Sequence, residues 1–107
     1  MTVKDLLELK AFELVSDVSD NTITKVFCCD LLSVAMGKAP AGCAWVTVMA
    51  NVNTLAVASL TDTAVIILAE GASFDEELIK KAGEEGICVF KTDKPIFEAA
   101  CLINDKL

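Results

Sequence analysis

Residues 64–68, Ala64-Val65-Ile66-Ile67-Leu68, decide the fold class. All five are apolar and three are β-branched, and Thr61-Asp62-Thr63 before them is a turn signal. Such a run predicts a short strand that is buried on both faces. Residues 44–49 form a second run of this kind. Doubly apolar strands are typical of the middle of a parallel sheet covered by helices.

Working outward from these runs, strand and helix signals alternate along the chain. We predict strands at 11–15, 23–28, 44–49, 64–68 and 87–90. The polar residues 16–21 predict a turn between the first two strands. This order predicts a single domain over 1–107 with a three-layer α/β fold, in which helices flank a mostly parallel sheet of about five strands.

Short polar residues are expected to cap the helices. Thr2, with Asp5 in the first turn, begins a short N-terminal helix. Asp30, Asn53 and Asp93 are predicted N-caps, and Ser73 with Glu76 matches a capping box for a helix that runs to about Glu84. Gly37 and Gly86 are predicted to end two of the helices.

Composition excludes several classes of function. The sequence has no His, Arg, Tyr or Gln, so imidazole catalysis and bidentate Arg–phosphate contacts cannot occur within this chain. Nine Lys against 16 Asp and Glu give a net charge of −7, which disfavours nucleic acid and anionic membranes as partners. Residues 41–60 are apolar but interrupted by polar side chains, so we expect no membrane span. Gly37-Lys38 is followed by Ala39-Pro40, so it is not a phosphate-binding loop.

Five cysteines occur without regular spacing, and Cys28 and Cys29 are adjacent. An odd count with an adjacent pair does not fit a secreted disulfide framework, so we expect reduced thiols in a cytoplasmic protein. Cys28 and Cys29 also raise an alternative function, a thiol-based redox or metal-carrying protein. The C-x-x-C spacing of common metal sites is absent, and we predict no metal site and no cofactor.

The order of motifs resembles the DRTGG domain family, whose fold is similar to the N-terminal domain of HPr kinase/phosphorylase. The resemblance runs from about Val3 to Leu102. It is carried by Cys29-Asp30-Leu31-Leu32-Ser33, Trp45-Val46-Thr47-Val48-Met49 with Asn53, residues 64–71, and residues 79–90 with Thr92 and Phe97-Glu98. It implies a small regulatory module that associates as a homodimer. The name-giving Asp-Arg-Thr-Gly-Gly motif is absent, since the chain contains no Arg.

Ligands of open parallel sheets bind beyond the carboxyl ends of the strands. The predicted ligand-binding residues at that edge are Cys29, Asp30, Ser33, Asn51, Asn53, Thr54, Glu70, Gly71 and Thr92. We predict no catalytic residue; an enzyme acting through Asp30 and Glu70 has only their position in its favour. The sequence therefore predicts a non-catalytic homodimeric module that binds a small polar ligand or a partner protein.

Overall fold

Five strands form one sheet in the computed structural model, which describes residues 1–16 and 19–107. Their order across the sheet is β1-β5-β4-β3-β2. Strands β2 to β5 are parallel, and β1 pairs antiparallel with β5. The strands are β1 (Glu13–Ser16), β2 (Lys25–Cys28), β3 (Cys43–Thr47), β4 (Val65–Leu68) and β5 (Val89–Lys91). The predicted mostly parallel α/β sheet is confirmed.

Helices cover both faces of the sheet. A 3₁₀ helix (Val3–Glu8) comes first, and the α-helices are α1 (Leu32–Lys38), α2 (Val52–Leu60), α3 (Glu76–Glu84) and α4 (Ile96–Asn104). On one face Trp45 and Ile66 pack with Leu55 of α2 and Ala82 of α3. On the other face the strands pack against the 3₁₀ helix and α4.

Strand β4 lies within its predicted run, and β3 begins at Cys43 and ends at Thr47, two residues before the predicted end at Met49. Every residue of both strands is buried. A buried strand needs apolar side chains on both faces, so composition alone marks it. β2 is shorter than predicted and begins at Lys25. The N–H of Ile23 donates to the carbonyl of Met1 at 2.9 Å, so Ile23 bonds to the N-terminal segment instead of continuing the strand. The predicted turn at 16–21 includes residues 17 and 18, which lie outside the described residues.

Helix starts differ from most of the predictions. The N-cap of α1 is Leu31, that of α2 is Asn51, that of α3 is Asp75 and that of α4 is Pro95, so the predicted caps Asp30, Asn53, Ser73 and Asp93 are wrong. The physical reason is that the cap is the last residue with extended backbone before the helix, and these helices start at different residues from those predicted. Near Thr2 the prediction is confirmed, because its N–H donates to the Asp5 carboxylate at 2.8 Å.

Gly37 does not end α1, which continues to Lys38. Pro40 explains the end, because the residue before a proline is forced out of helical geometry, and Ala39 is extended at φ −64° and ψ 120°. Gly86 has a φ of +69° and follows Glu85, the C-cap of α3, which confirms its predicted role. Within the described ranges, 1–16 and 19–107, no helix has the length and apolar character to cross a membrane.

Candidate functional site

The carboxyl ends of β2, β3, β4 and β5 meet at one edge of the sheet, because these four strands are parallel. The predicted ligand-binding residues follow these ends, as expected. The structure does not gather them into one site, however. They divide between the β2–β3 half of the edge and the β4–β5 half.

On the β2–β3 half, Asp30 ties the ends of two strands together. Its Oδ1 accepts hydrogen bonds from the hydroxyl of Thr47 at 2.7 Å and from the N–H of Val48 at 2.9 Å. The hydroxyl of Thr47 in turn accepts from the N–H of Met49 at 3.1 Å. The carboxylate therefore stabilises the turn after β3.

Most of the other candidates on this half also have structural partners. Thr54 is buried and its hydroxyl donates to the carbonyl of Met49 at 2.8 Å. The side chain of Asn51 accepts from the N–H of Asn53 at 2.9 Å and so caps α2. Ser33 lies exposed in α1. These contacts make this half a hydrogen-bonded scaffold.

We expect Asp30→Ala to lower the free energy of unfolding by about 1–2 kcal/mol, because two donors lose a carboxylate acceptor at a site that water reaches. Asp30→Asn keeps one acceptor oxygen and is expected to lose less than half as much. Urea unfolding followed by circular dichroism measures both. Equal stability of the alanine variant and the natural sequence would contradict a structural role for Asp30.

On the β4–β5 half, two turns are bonded to each other through their backbones. Glu70 and Gly71 lie in the left-handed region at φ +57° and +77°. The N–H of Glu70 donates to the carbonyl of Lys94 at 2.9 Å, and that of Gly71 to the carbonyl of Thr92 at 3.0 Å. Thr92 is 5% exposed and its hydroxyl accepts from the N–H of Lys94 at 3.2 Å. The turns hold each other in a fixed shape.

A cavity of about 260 Å³ opens beside these turns. It is lined by Lys10, Ala11, Glu13, Gly71, Ser73, Lys91, Thr92 and Asp93. Gly71 and Thr92 are predicted ligand-binding residues, whereas the two lysines were not predicted. No local sequence signal marks Lys10 or Lys91 as site residues. They line one cavity because β1 pairs antiparallel with β5, with Glu13 opposite Lys91, and these two strands are far apart in the chain.

The lining of this cavity carries both signs of charge. Lys91 forms an ion pair with Glu13 at 3.1 Å, and the Lys91 side chain is 41% exposed. Lys10 and Asp93 add one charge of each sign. With the hydroxyls of Ser73 and Thr92, the cavity offers donors and acceptors for a small polar ligand. A larger cavity of about 520 Å³ contains none of the predicted site residues and is lined by Met1, Asp5, Glu8, Leu9 and Lys106.

Cys28 and Cys29 lie on opposite faces of the sheet. Cys29 packs with the Trp45 cluster, and its carbonyl accepts from the Trp45 indole N–H at 2.9 Å. Cys28 is exposed on the other face, since side chains alternate along a strand. Although the residue is exposed overall, partial burial of its thiol raises the pKa of Cys28, and nearby Asp30 and Cys101 raise it further. Burial also raises the pKa of Cys43, against the effect of a hydrogen bond with Thr63.

These observations weigh against the thiol alternative. Two thiols on opposite faces cannot act together on one ligand, and a raised pKa leaves less of the thiolate that redox chemistry and metal binding need. Within residues 1–16 and 19–107, no group of three or more Cys, Asp or Glu side chains is arranged to hold a metal ion.

No protein-family model and no curated protein match the chain. Among solved structures, it is similar to the CBS and DRTGG domains of the regulatory region of Clostridium perfringens pyrophosphatase, complexed with the activator diadenosine tetraphosphate. The TM-score is 0.77 at 18% identity, over 99% of this chain. The fold is DRTGG-like. The fold implied by the sequence resemblance is thereby confirmed, and the DRTGG-like chain spans about half of that structure, 47% of its length.

Proposed function

We propose that this DRTGG-like chain is a non-catalytic regulatory module that binds a small polar ligand at the carboxyl ends of β4 and β5. The cavity beside Gly71 and Thr92 carries the proposal, because two predicted ligand-binding residues line it together, whereas the cavity of about 420 Å³ beside Asn51 includes one. The backbone bonds between the two turns keep this surface in shape without a ligand. A preformed polar cavity lowers the ordering cost of binding.

We propose an anionic ligand that carries a phosphate group, such as a nucleotide. Lys10 and Lys91 supply the cations of the cavity, whose lining also holds the carboxylates of Glu13 and Asp93. A phosphate group would replace Glu13 as the partner of Lys91. The pyrophosphatase regulatory region with the similar fold was solved with a nucleotide activator. A volume of about 260 Å³ is below the range of roughly 300–1,000 Å³ for drug-sized ligands, so the cavity would hold one phosphate-bearing part of a larger molecule.

Calorimetric titration with diadenosine tetraphosphate, AMP and inorganic phosphate tests the ligand. We expect the phosphate compounds to bind and adenosine, which lacks phosphate, to bind at least tenfold more weakly. Lys91→Ala is expected to weaken binding about tenfold or more, since a charge-assisted hydrogen bond contributes roughly 1.5–3 kcal/mol.

Lys4 provides the matched control for Lys91. It also forms an exposed ion pair, with Asp20 at 2.9 Å, but it does not line the cavity. Lys4→Ala should therefore change the dissociation constant less than twofold. Absence of binding by all three phosphate compounds at millimolar concentration, or equal affinities of the two variants, would contradict the proposal.

We further propose that the module occupies the cytoplasm as a homodimer of single 1–107 domains. The irregular cysteine spacing supports the location. Several exposed apolar side chains support association with a second copy, among them Phe97 at 78% and Leu31 at 59% exposure. Sedimentation velocity at micromolar concentration tests this part directly: a species with twice the chain mass is expected.

A further inference from the structure

Strand β2 ends the sheet with an outer edge that no other described strand covers. Natural sheets usually protect such edges with bulges, charges or proline. The opposite edge strand, β1, has an irregular register between Leu14 and Ser16 and an ion pair at Glu13. β2 has the regular register Lys25 to Cys28 against β3, and its one charged residue, Lys25, stands at its start, before the apolar centre Val26-Phe27. The edge at β2 is therefore open to another strand.

The hydrogen bonds of neighbouring residues show which backbone groups of β2 face outward. The N–H of Cys29 points toward β3, where it donates to the carbonyl of Val46 at 3.3 Å. Backbone groups point alternately to the two sides of a strand, so those of Val26 and Cys28 point away from β3. Upstream, the N-terminal segment covers the edge, where the N–H of Ile23 donates to the carbonyl of Met1. The outward groups of Val26 and Cys28 lie beyond that cover.

Apolar side chains flank this part of the edge. Val26 and Phe27 are only partly buried. Helix α4 packs on β2, and Phe97 near its start is 78% exposed. Cys101 lies one turn after Phe97 on the same helix. The helix that covers β2 therefore carries an exposed aromatic side chain.

We propose that β2 pairs antiparallel with β2 of a second copy, with Phe27 beside its own counterpart on the two-fold axis. In this register Val26 lies opposite Cys28 of the second copy, and the two outward residues of each strand exchange four backbone hydrogen bonds. Phe27 occupies the non-hydrogen-bonded position, where side chains approach most closely and aromatic pairs are favourable. The inference rests on the homodimer part of the proposed function and names its surface.

Charge and competing registers support this pairing. Antiparallel strands bring the amino end of one beside the carboxyl end of the other, so Lys25 comes within one position of Asp30 of the second copy. A shift by two residues would place Cys28 opposite Thr24, whose N–H already donates to the carbonyl of Gly42 at 2.9 Å. A shift by two residues in the other direction would place Val26 opposite Asp30, which lies beyond the end of β2. The register centred on Phe27 is therefore the one that pairs both Val26 and Cys28 with residues of β2.

A cross-linking experiment tests the proposed register between the two β2 strands. In a Cys28→Ser, Cys29→Ser, Cys101→Ser background, Phe27→Cys is expected to form a disulfide-linked dimer with oxidised glutathione. Two protein thiols are oxidised to one disulfide, while oxidised glutathione is reduced to two molecules of glutathione. Leu60→Cys in the same background is the matched control, because Leu60 is 72% exposed at the end of α2. We expect at least tenfold faster cross-linking for Phe27→Cys, and equal rates would overturn the inference.

Val26→Pro tests the backbone bonds. The N–H that proline lacks points outward, so pairing with β3 is retained while the second copy loses a donor. In sedimentation velocity at 150 mM salt, we expect the dimer dissociation constant to rise at least tenfold with an unchanged circular dichroism spectrum. If Val26→Pro fails to fold, the cross-linking rates decide.

The outcomes separate the proposals from one another. A natural chain that is monomeric at 100 µM would overturn both the homodimer and this surface. A dimer that survives Val26→Pro, or whose Phe27→Cys variant cross-links no faster than the control, would overturn the surface alone. Ligand binding is measured separately and is affected by neither result.

Discussion

Replacing Trp45 by alanine is expected to lower the free energy of unfolding by about 3–5 kcal/mol, the range for removing a large aromatic side chain from a core. Trp45 is fully buried at the centre of β3, among side chains of α2 and α3. Its indole N–H also donates to the carbonyl of Cys29 beyond the end of β2. The substitution thus removes both a packed ring system and a bond that fixes the chain after β2.

Trp45→Phe separates these two contributions. Phenylalanine fills most of the space but leaves the Cys29 carbonyl without its donor, which costs about 1–3 kcal/mol. Urea unfolding followed by circular dichroism is the suitable measurement, because Trp45 is the single tryptophan and its fluorescence would be lost. Loss of less than about 1 kcal/mol in Trp45→Ala would contradict the described packing.

Gly42→Ala is expected to cost about 2–3 kcal/mol of stability. Gly42 has a φ of +77°, and left-handed backbone costs an L-residue roughly 1–2 kcal/mol. An added Cβ would lie 3.1 Å from both Cγ2 and Oγ1 of Thr24, and crowding adds about 1 kcal/mol. The backbone cannot easily shift, because the N–H of Gly42 donates to the carbonyl of Asp62 and its own carbonyl accepts from Thr24.

Gly71→Ala is the matched control, since its φ is also +77° but the nearest atom to a new Cβ is Oδ1 of Asp93 at 3.6 Å. It should show only the backbone cost. Thr24→Ala alone loses the hydrogen bond from its hydroxyl to the carbonyl of Ala41 at 3.0 Å, so the crowding is measured as the interaction energy between Thr24→Ala and Gly42→Ala. Urea unfolding of the natural protein, the three single variants and the double variant gives each difference. Equal losses for the two glycine substitutions would show that the Thr24 contact is unimportant.

Local patterns were sufficient where a segment's environment is uniform. The apolar runs 64–68 and 44–49 contain β4 and four of the five residues of β3, and both strands lie in the middle of the sheet as predicted. Gly86 likewise marked the end of α3 near Glu84, although the predicted cap at Ser73 was wrong. Such features depend on residues within one strand or one turn, so they can be predicted from the sequence.

Local sequence patterns predicted the wrong role where a polar side chain can hydrogen-bond to more than one partner. Asp30 fits a helix cap by type, yet it accepts from Thr47 and Val48 at the end of β3. Asn51 and Asn53 both have a residue type that caps helices. Asn51 is the cap because its extended backbone directly precedes α2. The choice depends on where the helix and the neighbouring strand lie, which residue type does not specify.

By itself, the sequence determined the alternation of strands and helices, the parallel α/β class and the absence of imidazole and guanidinium chemistry. Only the tertiary structure decided that Lys10 and Lys91 share a cavity with Thr92, that Cys28 and Cys29 face apart, and that β2 is an edge strand. The physical reason is the distance along the chain over which each effect acts. Side-chain polarity and backbone preference act over a few residues, whereas cavities and sheet edges arise when segments far apart in the chain are paired.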